Sequence, residues 1–132
     1  MPEVNDKYRG TIEYHLAFSK LITAARCRGT VTYQELAMVL GLPLVGAYMG
    51  AETGHLLGEI SEDEVLAGRP MLSAVAVNVQ GHPGPGFFAL AKQLGKLSED
   101  GDESAFWREE LKSAHRTWAE RLDRYAHPGR DA

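Results

Sequence analysis

The chain has 132 residues, 44% of them hydrophobic and 24% charged, with a formal net charge of −4. That length suits one domain able to bury a core without metal or disulfide staples, and the composition excludes a disordered chain. The acidic balance excludes the overall basic excess of a protein that grips nucleic acid through phosphates, so any such contact needs a local basic patch.

The lone cysteine, Cys27, has no internal partner and suits a reducing compartment. No run approaches the ~20 apolar residues of a membrane span. Glu3, Asp6, Lys7, Arg9 and Glu13 interrupt the start where a signal peptide is apolar. The expected location is the cytoplasm.

In chain order, residues 1–8 read as a flexible N-terminus, 9–126 as one domain and 127–132 as a flexible tail. From about Arg9 to Arg28, Ile12 and Leu16, continued by Leu21, Ala24 and Ala25, make a helical stripe. Gly29 stands where a C-cap glycine stops a helix, with Arg26 and Arg28 in the last turn. Thr30–Thr32 is short and β-branched, a brief strand. Thr32, with Glu35 three residues on, forms a capping box for a helix with Leu36, Val39 and Leu40 on its apolar face. Gly41 ends that helix and Pro43 blocks a restart.

A further helix is expected from about Val45 to Ile60. Gly46, Gly50, Gly54 and Gly58 recur at every fourth position, each interior glycine costing ~1 kcal/mol against alanine. Glycines on one face point to tight packing against the core; the sharper alternative is a dimer contact or a ligand resting on the backbone. Ser61-Glu62-Asp63-Glu64 reads as a second capping box opening a short turn through Ala67, closed by Gly68. Met71 to Val79 is the clearest strand, apolar enough to be buried on both faces. The glycine- and proline-rich stretch that follows, through Gly86, is a turn or wing. Phe87 to Gly95 is a helix, Ser98–Asp102 an acidic loop, and Glu103 to about Tyr125 a long final helix with Trp107, Leu111, Ala114, Trp118 and Leu122 on one face.

The expected class is mainly α with a small β-hairpin or wing: a winged helix-turn-helix-like core plus a long C-terminal helix. Three stretches carry a family likeness: Thr30-Val31-Thr32-Tyr33-Gln34-Glu35-Leu36-Ala37, Val45-Gly46-Ala47-Tyr48-Met49-Gly50, and Arg69-Pro70-Met71 through Gly86. In that order they resemble the DNA-binding domain of the O6-alkylguanine DNA alkyltransferases and their alkyltransferase-like relatives, over roughly residues 12–97. The resemblance implies a winged helix that binds DNA. The family's reactive Pro-Cys-His-Arg would fall near Pro70 to Ala74, where Met71 to Ala74 holds no cysteine, histidine or arginine. Alkyl transfer needs an activated thiolate, so that activity is not expected. The segment Leu44–Ile60 holds no Lys or Arg and carries Glu52 and Glu59, an ill-suited groove reader. Arg26, Arg28, Thr32, Tyr33 and Gln34 are the candidate nucleic-acid contacts. The basic residues of the final helix, from Arg108 to Arg124, interleave with acids and read as a solvated face.

The histidines, His15, His55, His82, His115 and His127, have no metal-ligand spacing. His55 and Glu59, four apart, read as a surface pair ahead of an acid–base pair. Ser73 lacks a nucleophile elbow and reads as a small core residue. The Gly81–Gly86 turn before a helix reads first as a wing turn and second as an anion cradle, with Arg69 as a source of charge; it lacks the Lys and Ser/Thr of a P-loop. A small-molecule or nucleotide site would draw on Tyr48, Gly50, His55, Arg69, Asn78, His82, Gly84 and Gly86. The expected function is a non-enzymatic, winged-helix-like binding module, nucleic-acid-associated, in a bacterial or phage setting. The alternatives are a small-molecule or nucleotide-like ligand binder and a protein-interaction adaptor. Homodimerisation is possible, and no catalytic residue, metal, cofactor or membrane partner is expected.

Overall fold

The first helix, α1, spans Ile12–Arg26 in the computed structural model, which describes residues 6–43 and 46–126, with side chains as far as Ala119. Thr11 caps it, its hydroxyl accepting the N–H of Tyr14 at 3.2 Å. The buried stripe is Tyr14, Ala17, Leu21 and Ala25, whereas Ile12 and Leu16 are 68% and 50% exposed. The expected stripe holds at Leu21 and Ala25 and fails at its N-terminal end, where Tyr14 and Ala17 are buried instead. Tyr14 takes the core position because its hydroxyl finds a partner, donating to Asp63. At the C-terminus Arg28, not Gly29, adopts the left-handed conformation, with φ 57°. The Gly29 N–H returns to Ala24 O at 2.8 Å and the Arg28 N–H to Ala25 O at 3.0 Å, a Schellman closure with arginine in the glycine's place.

The strand β1, Val31–Thr32, leads into α2, Tyr33–Leu40. Both arms of the capping box form: the Glu35 N–H donates to Thr32 Oγ1 at 3.2 Å, and the Thr32 N–H donates to the Glu35 carboxylate at 3.1 Å. Gly41 ends the helix with φ 70°.

The third helix, α3, runs without a break over Ala47–Leu66. The expected stop at Ile60 and new cap at Ser61 do not occur. Ser61 is buried and its hydroxyl faces Ser73, while Glu64 pairs with Arg69. Both side chains thus have tertiary partners and neither caps a helix. The expected start at Val45 lies outside the described residues, as do residues 1–5 and the tail 127–132.

Of the expected buried strand Met71 to Val79, Met71 to Val77 are buried, Val79 is 70% exposed, and the segment does not form a long strand. Leu72–Val75 is a 3-10 turn and only Ala76–Val77, β2, is extended. The segment's backbone is satisfied by side chains instead of a ladder. The Met71 N–H donates to Glu110, the Ser73 N–H to Ser61 Oγ, and Trp107 Nε1 donates to Ala74 O. The small β element is present, but β1 and β2 pair in parallel (Val31 with Ala76, Thr32 with Val77), where a hairpin or wing would be antiparallel. The helices α2 and α3 form the crossover.

The buried 3-10 turn is the centre of the molecule, with α1, α3 and α5 (Glu103–Ala126) packed on it. One apolar cluster joins Leu21, Leu36, Leu56, Ile60, Leu72, Val75 and Ala114. A second joins Met71, Ala74, Phe87 and Ala91, flanked by Phe106 and Trp107, and seats α4 (Pro85–Gln93). The mainly α class and the long C-terminal helix are as the sequence indicates.

Candidate functional site

Between α3 and α4 lies a cleft of about 520 Å³. One wall is α3, contributing Met49, Gly50, Thr53, Gly54 and Leu57. The other is the start of α4, contributing Gly84, Gly86, Phe87 and Leu90, with Tyr33 and Ser73 also lining it. Gly50 and Gly54 do not receive a neighbouring backbone from the described residues, whereas Gly58 is buried. A Cβ built on Gly50, Gly54 or Gly86 meets no atom of the described residues within 4 Å. Tight packing, the first expectation for the glycine face, thus does not hold at Gly50 and Gly54; their missing side chains leave an open channel along α3.

Among the described residues, none with a charge lines the cleft. Its polar groups are few and mostly occupied. Thr53 Oγ1 donates to Met49 O at 2.7 Å. Tyr33 Oη accepts the N–H of Gly84 at 2.7 Å, which fixes the α4 entry against α2. Burial pushes the Tyr33 hydroxyl's pKa up, partly opposed by that amide, so the group is a neutral phenol. The Ser61 hydroxyl donates to Ser73 Oγ at 2.7 Å.

The candidate nucleic-acid residues do not form one exposed patch. Arg26 and Arg28 are exposed at the end of α1. Thr32 is engaged in its cap, and Tyr33 faces the cleft. Gln34 is half-buried, its Oε1 without a hydrogen-bond partner among the described residues.

The candidate ligand residues divide. Gly50, Gly84 and Gly86 line the cleft. Tyr48 is exposed outside it. Asn78 and His82 shape the preceding turn: Asn78 Oδ1 accepts the N–H of Gln80 and of His82, and the His82 ring meets Trp107 edge-on at 5.9 Å. Arg69 is held by Glu64 through two bonds, at 2.8 and 2.9 Å, and lies over the Trp118 ring. The anion cradle loses support, because the Gly84 amide is already donated to Tyr33 and no cation among the described residues lines the cleft.

His55 and Glu59 do meet, at 3.5 Å, but inside a structural clasp. Glu59 is fully buried and accepts the backbone N–H groups of Lys7, Tyr8 and Arg9. Arg9 in turn pairs with Asp6, Glu62 and Asp63, and the Tyr8 hydroxyl donates to Glu52. Residues 6–9, read from sequence mostly as a loose start, are strapped onto α3 on the strength of these carboxylates. Among the described residues no group of three or more His, Cys, Asp or Glu is placed to hold a metal ion. No helix among them is long and apolar enough to cross a membrane.

Sequence reasoning missed Met49, Thr53, Leu57, Phe87 and Leu90 as cleft walls. Phe87 and Leu90 read correctly as one helix face, and nothing local shows that this face borders space as well as core. Compared with protein-family models, with curated proteins and with solved structures, the chain finds no match in any of the three.

Proposed function

We propose that this chain is a non-enzymatic binding module that holds a small, neutral, flat apolar molecule in the α3–α4 cleft. The observation that carries the reading is the lining: a glycine floor, mostly aliphatic and aromatic walls, and no charge among the described residues. Its volume falls in the ordinary range for small-ligand pockets, roughly 300–1,000 Å³. An ionised ligand would lose its hydration there with no counter-charge to replace it, so phosphorylated or carboxylated molecules are disfavoured. The glycines cost α3 helix stability and leave the backbone face open, which suits a planar ring laid against it.

Thermal denaturation with a panel of neutral aromatics, and with benzoate and a nucleoside monophosphate for contrast, tests this reading. Neutral bicyclic compounds are expected to raise Tm with concentration, as a ligand bound only to the folded state must. Gly54→Leu, which fills the channel, is expected to remove the effect. A rise given equally by the charged compounds, or one that survives Gly54→Leu, overturns the reading.

The nucleic-acid reading rests on a different observation. Arg26 and Arg28 stand exposed at the end of α1, just ahead of β1. A gel shift on duplex DNA at low salt tests it, with Arg26→Glu/Arg28→Glu as control; no shift for the parent protein, or an equal shift for the variant, counts against it.

A further inference from the structure

The two hydroxyls on the cleft wall each accept one hydrogen bond from the protein and keep their own hydrogens. Ser61 Oγ accepts the N–H of Ser73 at 3.1 Å and directs its own hydrogen to Ser73 Oγ at 2.7 Å. Ser73 Oγ then carries a hydrogen with no acceptor among the described residues, on a side chain only 3% exposed. Tyr33 repeats the pattern: its oxygen takes the Gly84 N–H, and its hydrogen has no acceptor among the described residues. A buried donor without an acceptor is costly, so the Ser73 hydroxyl invites an acceptor from whatever fills the cleft, and the half-buried Tyr33 hydroxyl offers a second donor beside it. The third hydroxyl, Thr53, is different, since its hydrogen goes to Met49 O.

We infer that the cleft selects its neutral ligand by a hydrogen-bond acceptor, a carbonyl or aromatic ring nitrogen, read by the Ser73 hydroxyl with Tyr33 as second donor. This rests on the proposed ligand-binding function and narrows it to a class: flat, uncharged, acceptor-bearing rings, with donor-only and plain hydrocarbon rings bound less well. Ser61 is a positioning residue. It accepts the Ser73 amide and sits 2.7 Å from Ser73 Oγ, so it fixes where the Ser73 hydroxyl stands; the pair holds two hydroxyl hydrogens and only one can lie between the two oxygens, which leaves the other for an acceptor in the cleft.

Matched probes of one shape separate the two ideas. The affinities of indane and 1-indanone are measured by NMR titration on the full chain, for the parent, Ser73→Ala and Ser73→Cys. The parent is expected to prefer the ketone by roughly tenfold, the effect of one buried hydrogen bond. Ser73→Ala should reduce that preference several-fold, and Ser73→Cys, a weaker donor of similar size, should fall between. Unchanged dispersion of the amide resonances in the variants shows that the cleft remains folded. If both probes bind the parent equally, acceptor selection is refuted and the cleft reading stands. If the ketone preference survives Ser73→Ala intact, Ser73 is not the reader and the inference fails. If neither probe binds the parent, both the inference and the proposed function fall.

Discussion

Replacing Gly50 and Gly54 together by alanine should stabilise this protein. Both lie inside α3, neither has a positive φ, and a Cβ at either position meets no atom within 4 Å. Nothing therefore opposes the gain in helix propensity, about 0.8–1 kcal/mol per site. The sites are separated by one turn and their methyls point into open space, so the effects should nearly add, to about 1.5–2 kcal/mol. For a chain of this length the unfolding entropy converts 1 kcal/mol into about 3–4 °C, so Tm should rise by about 6 °C. Calorimetry reads the shift and urea denaturation the free energy. Gly46→Ala is the control: φ there is 101°, a region alanine rarely adopts, so the same substitution should cost about 1 kcal/mol or more. A double variant that loses stability would show that the space above α3 is occupied, and would refute the open channel on which the cleft rests. The same two methyls should weaken ligand binding, the trade expected where glycines are kept for a site at the expense of the helix.

Other consequences follow from the clasp and the caps. Glu59→Gln replaces a carboxylate that accepts three backbone N–H groups with an amide that turns donors toward them. It should cost about 2–3 kcal/mol in urea denaturation and speed hydrogen exchange at residues 7–9; an effect under about 0.5 kcal/mol would contradict the strap. Arg69→Ala leaves the buried Glu64 carboxylate without its two-bond partner and should cost about 3–5 kcal/mol by the same measurement, more than a surface ion pair can explain. Arg28→Gly relieves a left-handed arginine and should stabilise by about 1 kcal/mol; a loss would mean that the Arg28 side chain matters more than its backbone strain. The Glu52 carboxyl is held below its ordinary 4.5, first by Lys7 and then by Tyr8. The Glu35 carboxyl is held down by the Thr32 amide. A carboxyl with a lowered folded-state pKa contributes stability that is present above pH 4.5 and lost as pH falls through the folded value. The difference between the parent and Glu35→Gln should therefore be full at pH 7 and shrink below pH 4.5; a difference that grows on acidification would contradict the assignment.

Local rules read the α1–β1–α2 unit well because its signals are local. Thr32 and Glu35 satisfy each other within four residues, and Gly41 stops the helix where a left-handed residue is needed. The same rules misread places where a distant residue completes a local pattern. Met71 to Val77 is buried and apolar like a central strand, yet Glu110, Ser61 and Trp107, remote in sequence, take over its backbone partners. Ser61 to Glu64 has the spelling of a cap, but Ser73 and Arg69 compete for it and α3 runs on. Glu59 has the spelling of a surface residue, and only the fold brings the amides of residues 7–9 to it. The glycine period of α3 was legible as a special face. Whether that face is filled or open depends on where α4 sits, and α4 is placed by Phe87, Phe106 and Trp107 through contacts that no local period encodes.

The central claim, that the open face of α3 is a binding cleft, is tested most directly by mapping amide shifts while the protein is titrated with a neutral bicyclic aromatic such as quinoline. The account predicts saturable shifts concentrated at Gly50, Thr53, Leu57, Gly84, Phe87 and Leu90 and lost in Gly54→Leu. Shifts concentrated elsewhere, or unchanged in Gly54→Leu, would contradict it.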